Sequence, residues 1–584
     1  MTAAFPRSPA WSTRYLLFIA GMGGLLYGID VGIIAGALPY LESTAALAWK
    51  LNAQQLSFVV AAVLLGSVLS SLFAGLLADL VGRRRGMVVA GALFVASIPL
   101  IALADGYAPL LCGRLLQGIS GGLIGVIVPL YLAECLDARR RGRGAALFQL
   151  LLTVGLVAAA VIGLVQARGV QAATDAAVLA AKDRAWRGIF WMCLTPGIVF
   201  TLGCLLLAES PRWLAQRGRL DAARAVLLLT RDARDAAREL GEIARPRAAT
   251  ARAADPLLSR RYVLPFLLAC LILACNQATG INSVLAYVVN ILNRAGLSGS
   301  SANLADVLLK VLNALMTIVA VLLVDRKGRR FLLMLGTAGI VVALLAVGLL
   351  FRANETEQRD VLAQVTQRAH DDGLSLRLDA PTLRALGADP AGTPQVLTVA
   401  YAYGPFTNVA SIRSDDPALP PLVAHRADTV QPDSVIGAAF RRLHLNPFPD
   451  PARAAGRALV IEKAHIGPLP TTAHGWLVAL AICLFVASFA VGPGVCVWLA
   501  LSELMPTRIR SNGMSIALLI NQFVSTSIAA VFLPTVGRHG YSAIFFFGAA
   551  CSLVYFLASA FLLPETRGKT LEEIEACFAR AATK

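Results

Sequence analysis

Asn276, Gln277, Thr279 and Asn282 lie inside an apolar run from about Tyr262 to Leu292, long enough to cross a bilayer at about 20 residues per span. Buried amides are costly without partners, and at membrane depth such groups face a bundle interior or a water-filled path. Gly280 carries a helix-propensity penalty, and the polar side chains around it compete for backbone bonds, so the helix is expected to loosen there. Two readings stay open: a substrate site, or the interhelical hydrogen bonding that Asn and Gln provide in membranes. A second kind of chemistry sits in the first apolar run. Asp30 lies midway along it, where an unpaired charge costs about 2.5–3.5 kcal/mol. It needs a proton or a partner, and Arg114, in the fourth run, is the natural candidate. An aspartate that loses an arginine partner is more easily protonated, which is the physics of a proton switch; a structural ion pair is the alternative.

The elements that position these residues follow from composition. The chain has 584 residues, 57% of them hydrophobic and 15% charged, with a mean hydropathy of +0.68, which marks a polytopic membrane protein. Its net charge of +17 does not point to nucleic acid, because the arginines cluster in short segments between apolar runs. The ten cysteines fall in expected spans or, for Cys577, in the tail, so no disulfide framework is implied. The polar start, Met1 to Arg14, leads into an apolar run of full span length, so no cleavable signal is expected.

Twelve spans can be drawn, at about 15–39, 56–80, 86–104, 108–135, 144–166, 187–207, 262–292, 303–324, 331–351, 475–501, 513–534 and 541–563. The basic segments Gly82 to Arg85, Arg139 to Arg143, 209–261, Asp325 to Arg330, Arg508/Arg510 and Arg567/Lys569 fall on one side. That side is expected to be cytoplasmic, with both termini inside. Asp79-Leu80-Val81-Gly82-Arg83-Arg84 recurs as Asp325-Arg326-Lys327-Gly328-Arg329-Arg330, and Glu134 with Arg141 recurs as Glu503 with Arg510. The chain therefore reads as two six-helix halves. The same interval is much longer in the second half, and the polar stretch Arg352–His474 accounts for the excess. The expected divisions are a first half at 1–208, a cytoplasmic helical linker at 209–261 with helices near Leu220–Thr230 and Arg234–Ala244, helices seven to nine at 262–351, an extracytoplasmic insert at 352–474, helices ten to twelve at 475–563, and a tail at 564–584. The insert reads as either a small domain or a disordered segment. A parallel pair of six-helix halves is the layout of major facilitator transporters, an all-α membrane fold with substrate held between halves near the midplane.

The motifs resemble the sugar porter family of the major facilitator superfamily. They are Tyr27-Gly28-Ile29-Asp30, the two Asp-x-x-Gly-Arg-Arg loops, Arg114 with Gln117-Gly118, Pro129 to Glu134, Glu209-Ser210-Pro211-Arg212-Trp213-Leu214, Gln277-x-x-Gly280-Ile281-Asn282, Gly492-Pro493-Gly494 with Trp498, and Pro564 to Gly568. Asn276 stands where the family usually has a second Gln, Ala286 where it has a second Tyr, and Ala208 where it has Pro. These departures leave the class intact and the particular sugar open.

Sugars present hydroxyls that both donate and accept, which suits side-chain amides, together with an apolar ring face that suits an aromatic. Gln149, Gln277, Asn282, Asn313 and Trp498 meet that need. The resemblance places Gln149, Asn276, Gln277, Asn282, Trp498 and Asn521 at sugar-contacting positions and Tyr27 at an aromatic one. It also implies that Asp30, with Arg114, couples transport to protons. Asp79, Arg83, Arg84, Glu134, Arg141, Glu209, Arg212, Asp325, Arg329, Arg330, Glu503 and Arg510 sit at cytoplasmic ends of spans, and are expected to form salt bridges between the halves that close an inner gate. Their positive charge also serves topology.

Gly118-Ile119-Ser120-Gly121-Gly122 fits a nucleophile-elbow pattern but lies within a helix of small residues, so close packing is the better reading. His370, His425, His444, His465 and His474 lie in the insert without metal-ligand spacing. The expectation is a proton-coupled monosaccharide symporter of the inner (plasma) membrane: a monomer rather than an enzyme, with a sugar, a proton and lipid as partners and neither cofactor nor metal. An uncoupled facilitator, a polyol or cyclitol carrier, and a non-transporting sugar receptor are the alternatives. No nucleotide-binding loop supports an ATP-driven pump.

Overall fold

The computed structural model describes residues 9–136, 138–174, 177–230, 232–244, 260–297, 299–369, 373–415, 421–430, 441–442, 450–454, 456–496 and 510–564. The first half contains α1 (Pro9–Ser43), a short α2 (Ala45–Ala48), α3 (Ala53–Val81), α4 (Arg83–Ala102), α5 (Tyr107–Cys135), α6 (Ala138–Gln171), α7 (Val178–Trp191) and α8 (Leu194–Leu205). Three short helices follow: α9 (Pro211–Gln216), α10 (Leu220–Leu228) and α11 (Ala233–Ala244). The second half contains α12 (Arg260–Ala278), α13 (Ile281–Arg294), α14 (Ser300–Lys327) and α15 (Arg329–Thr356) before the insert, then α19 (Thr472–Val491) and α20 (Arg510–Leu557).

Among the described residues, 11 helical stretches are long and apolar enough to cross a membrane. The longest, Ile516–Leu562, has a non-helical Gly540 at φ 82° and ψ 170° that divides it in two. The total is then the expected twelve. The sixth span starts at Val178 rather than near 187, because α7 runs on beyond the apolar segment through Lys182, Asp183, Arg184 and Arg187.

The sequence repeat has a backbone counterpart. Gly82 adopts φ 97°, ψ 157° and Gly328 adopts φ 90°, ψ 159°. Only glycine holds that conformation readily, and the two matching turns reverse the chain between α3 and α4 and between α14 and α15.

Glycines also set how closely helices approach. Gly24, Gly28, Gly32 and Gly36 recur every fourth residue along α1 and face α6. A Cβ on Gly28 would stand 1.9 Å from the Leu152 carbonyl oxygen, and one on Gly36 would stand 2.9 Å from the Gly163 Cα. This is small-residue packing of the kind membrane helices use in place of a hydrophobic drive.

The insert is folded in its described part. β1 (Arg359–Asp360), β6 (Val460–Pro468), β3 (Gln395–Tyr403) and β4 (Phe406–Arg413) form a sheet in the order β1-β6-β3-β4, and β2 (Gly373–Leu376) pairs with β5 (Leu422–His425). Three short helices, α16 (Leu362–Thr366), α17 (Ala380–Ala385) and α18 (Arg426–Thr429), complete it. Val365, Leu383, Leu397, Val399, Tyr401 and Ile466 build its own core, to which β3 contributes every second residue. Among the described residues, strands are confined to this segment, and the bundle is helical. Arg359 pairs with Ile466, bringing the two ends of the insert together. The domain rests on the bundle through Lys463 Nζ, which donates to the Arg538 carbonyl at 2.9 Å, and through Arg538, which donates to Thr407 Oγ1 at 2.6 Å. β4 also lies against α3 of the first half.

Candidate substrate and coupling site

The seventh span breaks where the amides cluster. Gly280 stands at φ 81° between α12 and α13, as its neighbours predict, and Gln277 and Asn282 flank the break. Asn282 Nδ2 donates to Gln277 Oε1 at 3.0 Å and lies 2.9 Å from Ser525 Oγ. Gln277 Nε2 donates to Asn521 Oδ1 at 3.3 Å, and Asn521 Nδ2 donates to the Leu273 carbonyl at 3.0 Å. Three helices thus meet in one amide network. Beside it, Asn276 is buried, and its Oδ1 has no hydrogen-bond partner.

Of the other expected sugar contacts, Asn313 is half-buried on α14 and Gln149 is exposed on α6, and neither hydrogen-bonds to the network. Trp498 lies outside the described residues. Ser525 was not among the expected residues, although it follows Asn521 by one helical turn. A cavity of about 410 Å³ adjoins the same break, but Phe532, Phe545, Phe547 and other apolar groups line it and the amides do not. Its polar lining is limited to Thr279, Ser283, Thr535 and His539, without the side-chain amides that both donate to and accept from sugar hydroxyls.

Asp30 and Arg114 are both buried. The expected ion pair does not form. Arg114 Nη1 donates to Gln117 Oε1 at 2.6 Å, its Nε donates to the Val59 carbonyl at 3.4 Å, and its guanidinium lies 5.6 Å from the Phe190 ring centre. Gln117, one turn along α5, takes the position that a carboxylate would need. Asp30 Oδ1 has no hydrogen-bond partner. The carboxyl lies against α5 at Gly121, where a Cβ would stand 2.5 Å from Asp30 Oδ2 and 3.4 Å from the Tyr27 ring. Gly121 is therefore the space that Tyr27 and Asp30 occupy.

The profile described as "Sugar (and other) transporter" matches residues 16–366 and 454–578. The chain belongs to the sugar transporter family. The match passes over 367–453, within the insert. A galactose-proton symporter of Escherichia coli (strain K12) is 24% identical over 97% of this chain and 95% of its own. The human proton myo-inositol cotransporter is 28% identical over 98% and 82%, and the glucose transporter GlcP of Staphylococcus epidermidis is 31% identical over 58% and 72%. Among solved structures, the inward open xylose transporter XylE from E. coli matches with a TM-score of 0.64 at 19% identity, covering 96% of this chain and 98% of that one. The likeness establishes the major facilitator fold.

In this transporter the basic end of the first half is tied to itself and to the segment that follows it. Arg83 bridges Asp79 Oδ1 at 2.9 Å and Glu134 Oε1 at 2.9 Å, and Ser210 Oγ donates to Glu134 Oε2. Glu209 Oε1 accepts from the Arg84 N–H at 3.0 Å, and a side chain on Gly82 would collide with the Glu209 carboxylate. Trp213 and Arg217 donate to the Asp79 carbonyl at 2.9 and 3.1 Å. Arg212 and Arg329 are half-buried, and Arg330 donates to the Ala560 carbonyl. Glu503 and the side chains of Arg141, Asp325 and Arg510 lie outside the described residues. The bridges expected between halves are not among those the structure shows.

The nucleophile-elbow pattern is helix packing. Ser120 Oγ donates to the Ala90 carbonyl at 2.7 Å, and a Cβ on Gly118 would stand 2.1 Å from the Val63 carbonyl oxygen. Two polar contacts at the other end of the bundle had not been anticipated: Asn290 Nδ2 donates to Glu42 Oε2 at 2.8 Å, and Asp306 pairs with Lys310 at 2.8 Å. Opposite charges four residues apart inside an apolar run were the available signal for the second.

Proposed function

We propose that this transporter moves a monosaccharide, a hexose or a pentose, together with a proton by alternating access. The observation that carries the reading is Asp30, a buried carboxyl with an unpartnered oxygen, in a bundle whose broken seventh span gathers Gln277, Asn282 and Asn521. Such a carboxyl can gain and lose a proton as water reaches it from either side, while the amides exchange their mutual hydrogen bonds for sugar hydroxyls. The galactose-proton symporter and the proton myo-inositol cotransporter are relatives over nearly the whole chain.

In this reading the halves 1–208 and 262–351 with 475–563 rock about the site, joined by the linker 209–261. Gln149, Asn276, Asn313, Trp498 and Tyr27 complete the sugar path, and Arg114 biases Asp30 by its charge. The basic end faces the cytoplasm of a cell bounded by its inner membrane, the insert lies outside, and one chain suffices. A polyol or cyclitol as cargo is the second reading, favoured by the likeness to the myo-inositol cotransporter. Proteoliposomes with an imposed proton gradient, screened against hexoses, pentoses and polyols, test both. Accumulation of a sugar above its outside concentration, abolished by a protonophore, is expected; equilibration without accumulation would leave an uncoupled carrier.

A further inference from the structure

Asn303, Asp306, Lys310, Asn313 and Thr317 recur along α14 at steps of three and four, which places them on one helix face. The first three are buried, at 2%, 1% and 0% exposure. Lys310 Nζ donates to Asp306 Oδ2 at 2.8 Å and, across the seam between the halves, to the Gly32 carbonyl of α1 at 3.3 Å. Asp306 Oδ1 and Asn303 Oδ1 have no hydrogen-bond partner. Asn303 Oδ1 lies where a Cβ on Gly163 of α6 would stand 3.1 Å away, so the face is seated in the cleft formed by the α1 and α6 glycines. Lys310 is ten residues from the start of α14, about 15 Å along the helix at 1.5 Å per residue. That places it between the insert end of the bundle and Asn313. Glu42 and Asn290 join α1 to α13 further toward that end.

A buried ion pair at best breaks even against apolar side chains of similar volume, and unpartnered buried oxygens add cost. Such a face makes physical sense where it is dry in one state and wet in another. We propose that the Asp306–Lys310 pair with its Gly32 contact is the seal of the transport path on the insert side, closed in this structure and uncovered to water when the halves part there. The proposal rests on the alternating-access reading. Lys310 is a positioning residue for the transition rather than a sugar ligand: its charge is matched by Asp306, so the uncovered face favours neutral cargo.

The seal predicts that removing one charge shifts the populations and removing both reverses that shift. In Lys310→Met the closed state buries an uncompensated carboxylate, so the ratio of insert-side-open to insert-side-closed molecules should rise about tenfold or more. In the double variant Asp306→Leu with Lys310→Met no charge is buried, and the ratio should return to the wild-type value or fall below it. Spin labels introduced through unnatural amino acids at Leu47 and Ser301 of the full chain would report the two populations as an inter-half distance, without sugar and with each transported sugar. A pair that only stabilises α14 would lower the melting temperature without raising the ratio in Lys310→Met and reversing that rise in the double variant. Two wild-type populations left unchanged in both variants would overturn the seal alone. A single wild-type population under every condition would overturn alternating access and the seal with it. Should Lys310→Met fail to fold, the exchanged pair Asp306→Lys with Lys310→Asp keeps the test: loss of the closed population there supports the Gly32 contact, and an unchanged ratio overturns it.

Discussion

Arg83 at the start of α4 and Glu134 near the end of α5 are joined at 2.9 Å, with side-chain exposures of only 5% and 9%. The second Glu134 oxygen accepts from Ser210, which also caps α9 through the Trp213 N–H at 3.3 Å. One carboxylate therefore ties two membrane helices to the segment that leaves the first half.

Removing that carboxylate should be expensive. Glu134→Ala leaves a buried guanidinium with only the exposed Asp79 as ionic partner, a loss of about 3 kcal/mol or more for a broken buried pair. Arg83→Ala with Glu134→Ala should be less harmful than the sum of the single changes. Thermal unfolding in detergent measures both; a Glu134→Ala protein as stable as wild type would show that the pair contributes nothing.

Replacing Asp30 by Asn keeps the volume beside Gly121 and removes the titrating group. Uphill accumulation should disappear while sugar exchange between loaded vesicles and medium persists, and the exchange rate should lose its dependence on pH. Accumulation that survives under a proton gradient would place coupling elsewhere.

Gln277→Ala and Asn282→Ala should each weaken sugar binding by about 1–3 kcal/mol, the usual cost of an unmet buried partner. Because Asn282 donates to Gln277, the double variant should lose less than the sum. Calorimetry on the purified transporter decides; wild-type affinity in both single variants would remove the broken span from the site.

Replacing Gln358–Leu469 by a short Gly/Ser linker should leave uptake intact. The β1–β6 pairing already brings the ends of this segment together, and loop length adds little closure cost. The cut spares Glu355, which accepts from the Ser542 N–H at 3.1 Å, and Thr471, whose hydroxyl caps α19. The domain touches α3 in one half and α20 in the other, so lost uptake in a well-inserted protein would instead assign it a gating or capture role. Intact cells treated with protease should yield cleavage within the insert; full protection would reverse the proposed orientation.

The spans, the repeated Gly82 and Gly328 turns, the break at Gly280 and the two linker helices at Leu220 and Ala233 were legible in the chain alone. Each depends on local terms: run length against bilayer thickness, glycine conformational freedom, helical periodicity. Partner choice was not legible. Arg114 meets Gln117 rather than Asp30 because a neighbour one turn away on the same helix competes directly with a carboxylate on another. Asn521 and Ser525 join Gln277 and Asn282 from more than 240 residues away, and Lys310 finds Gly32 only because α14 docks in the cleft between α1 and α6. The insert strands behave likewise, since β1 and β6 are far apart in sequence and become a sheet only by pairing. Apolar length and local backbone preference are properties of a segment, whereas hydrogen-bond partners depend on which helix faces come together, and only the packed structure decides that.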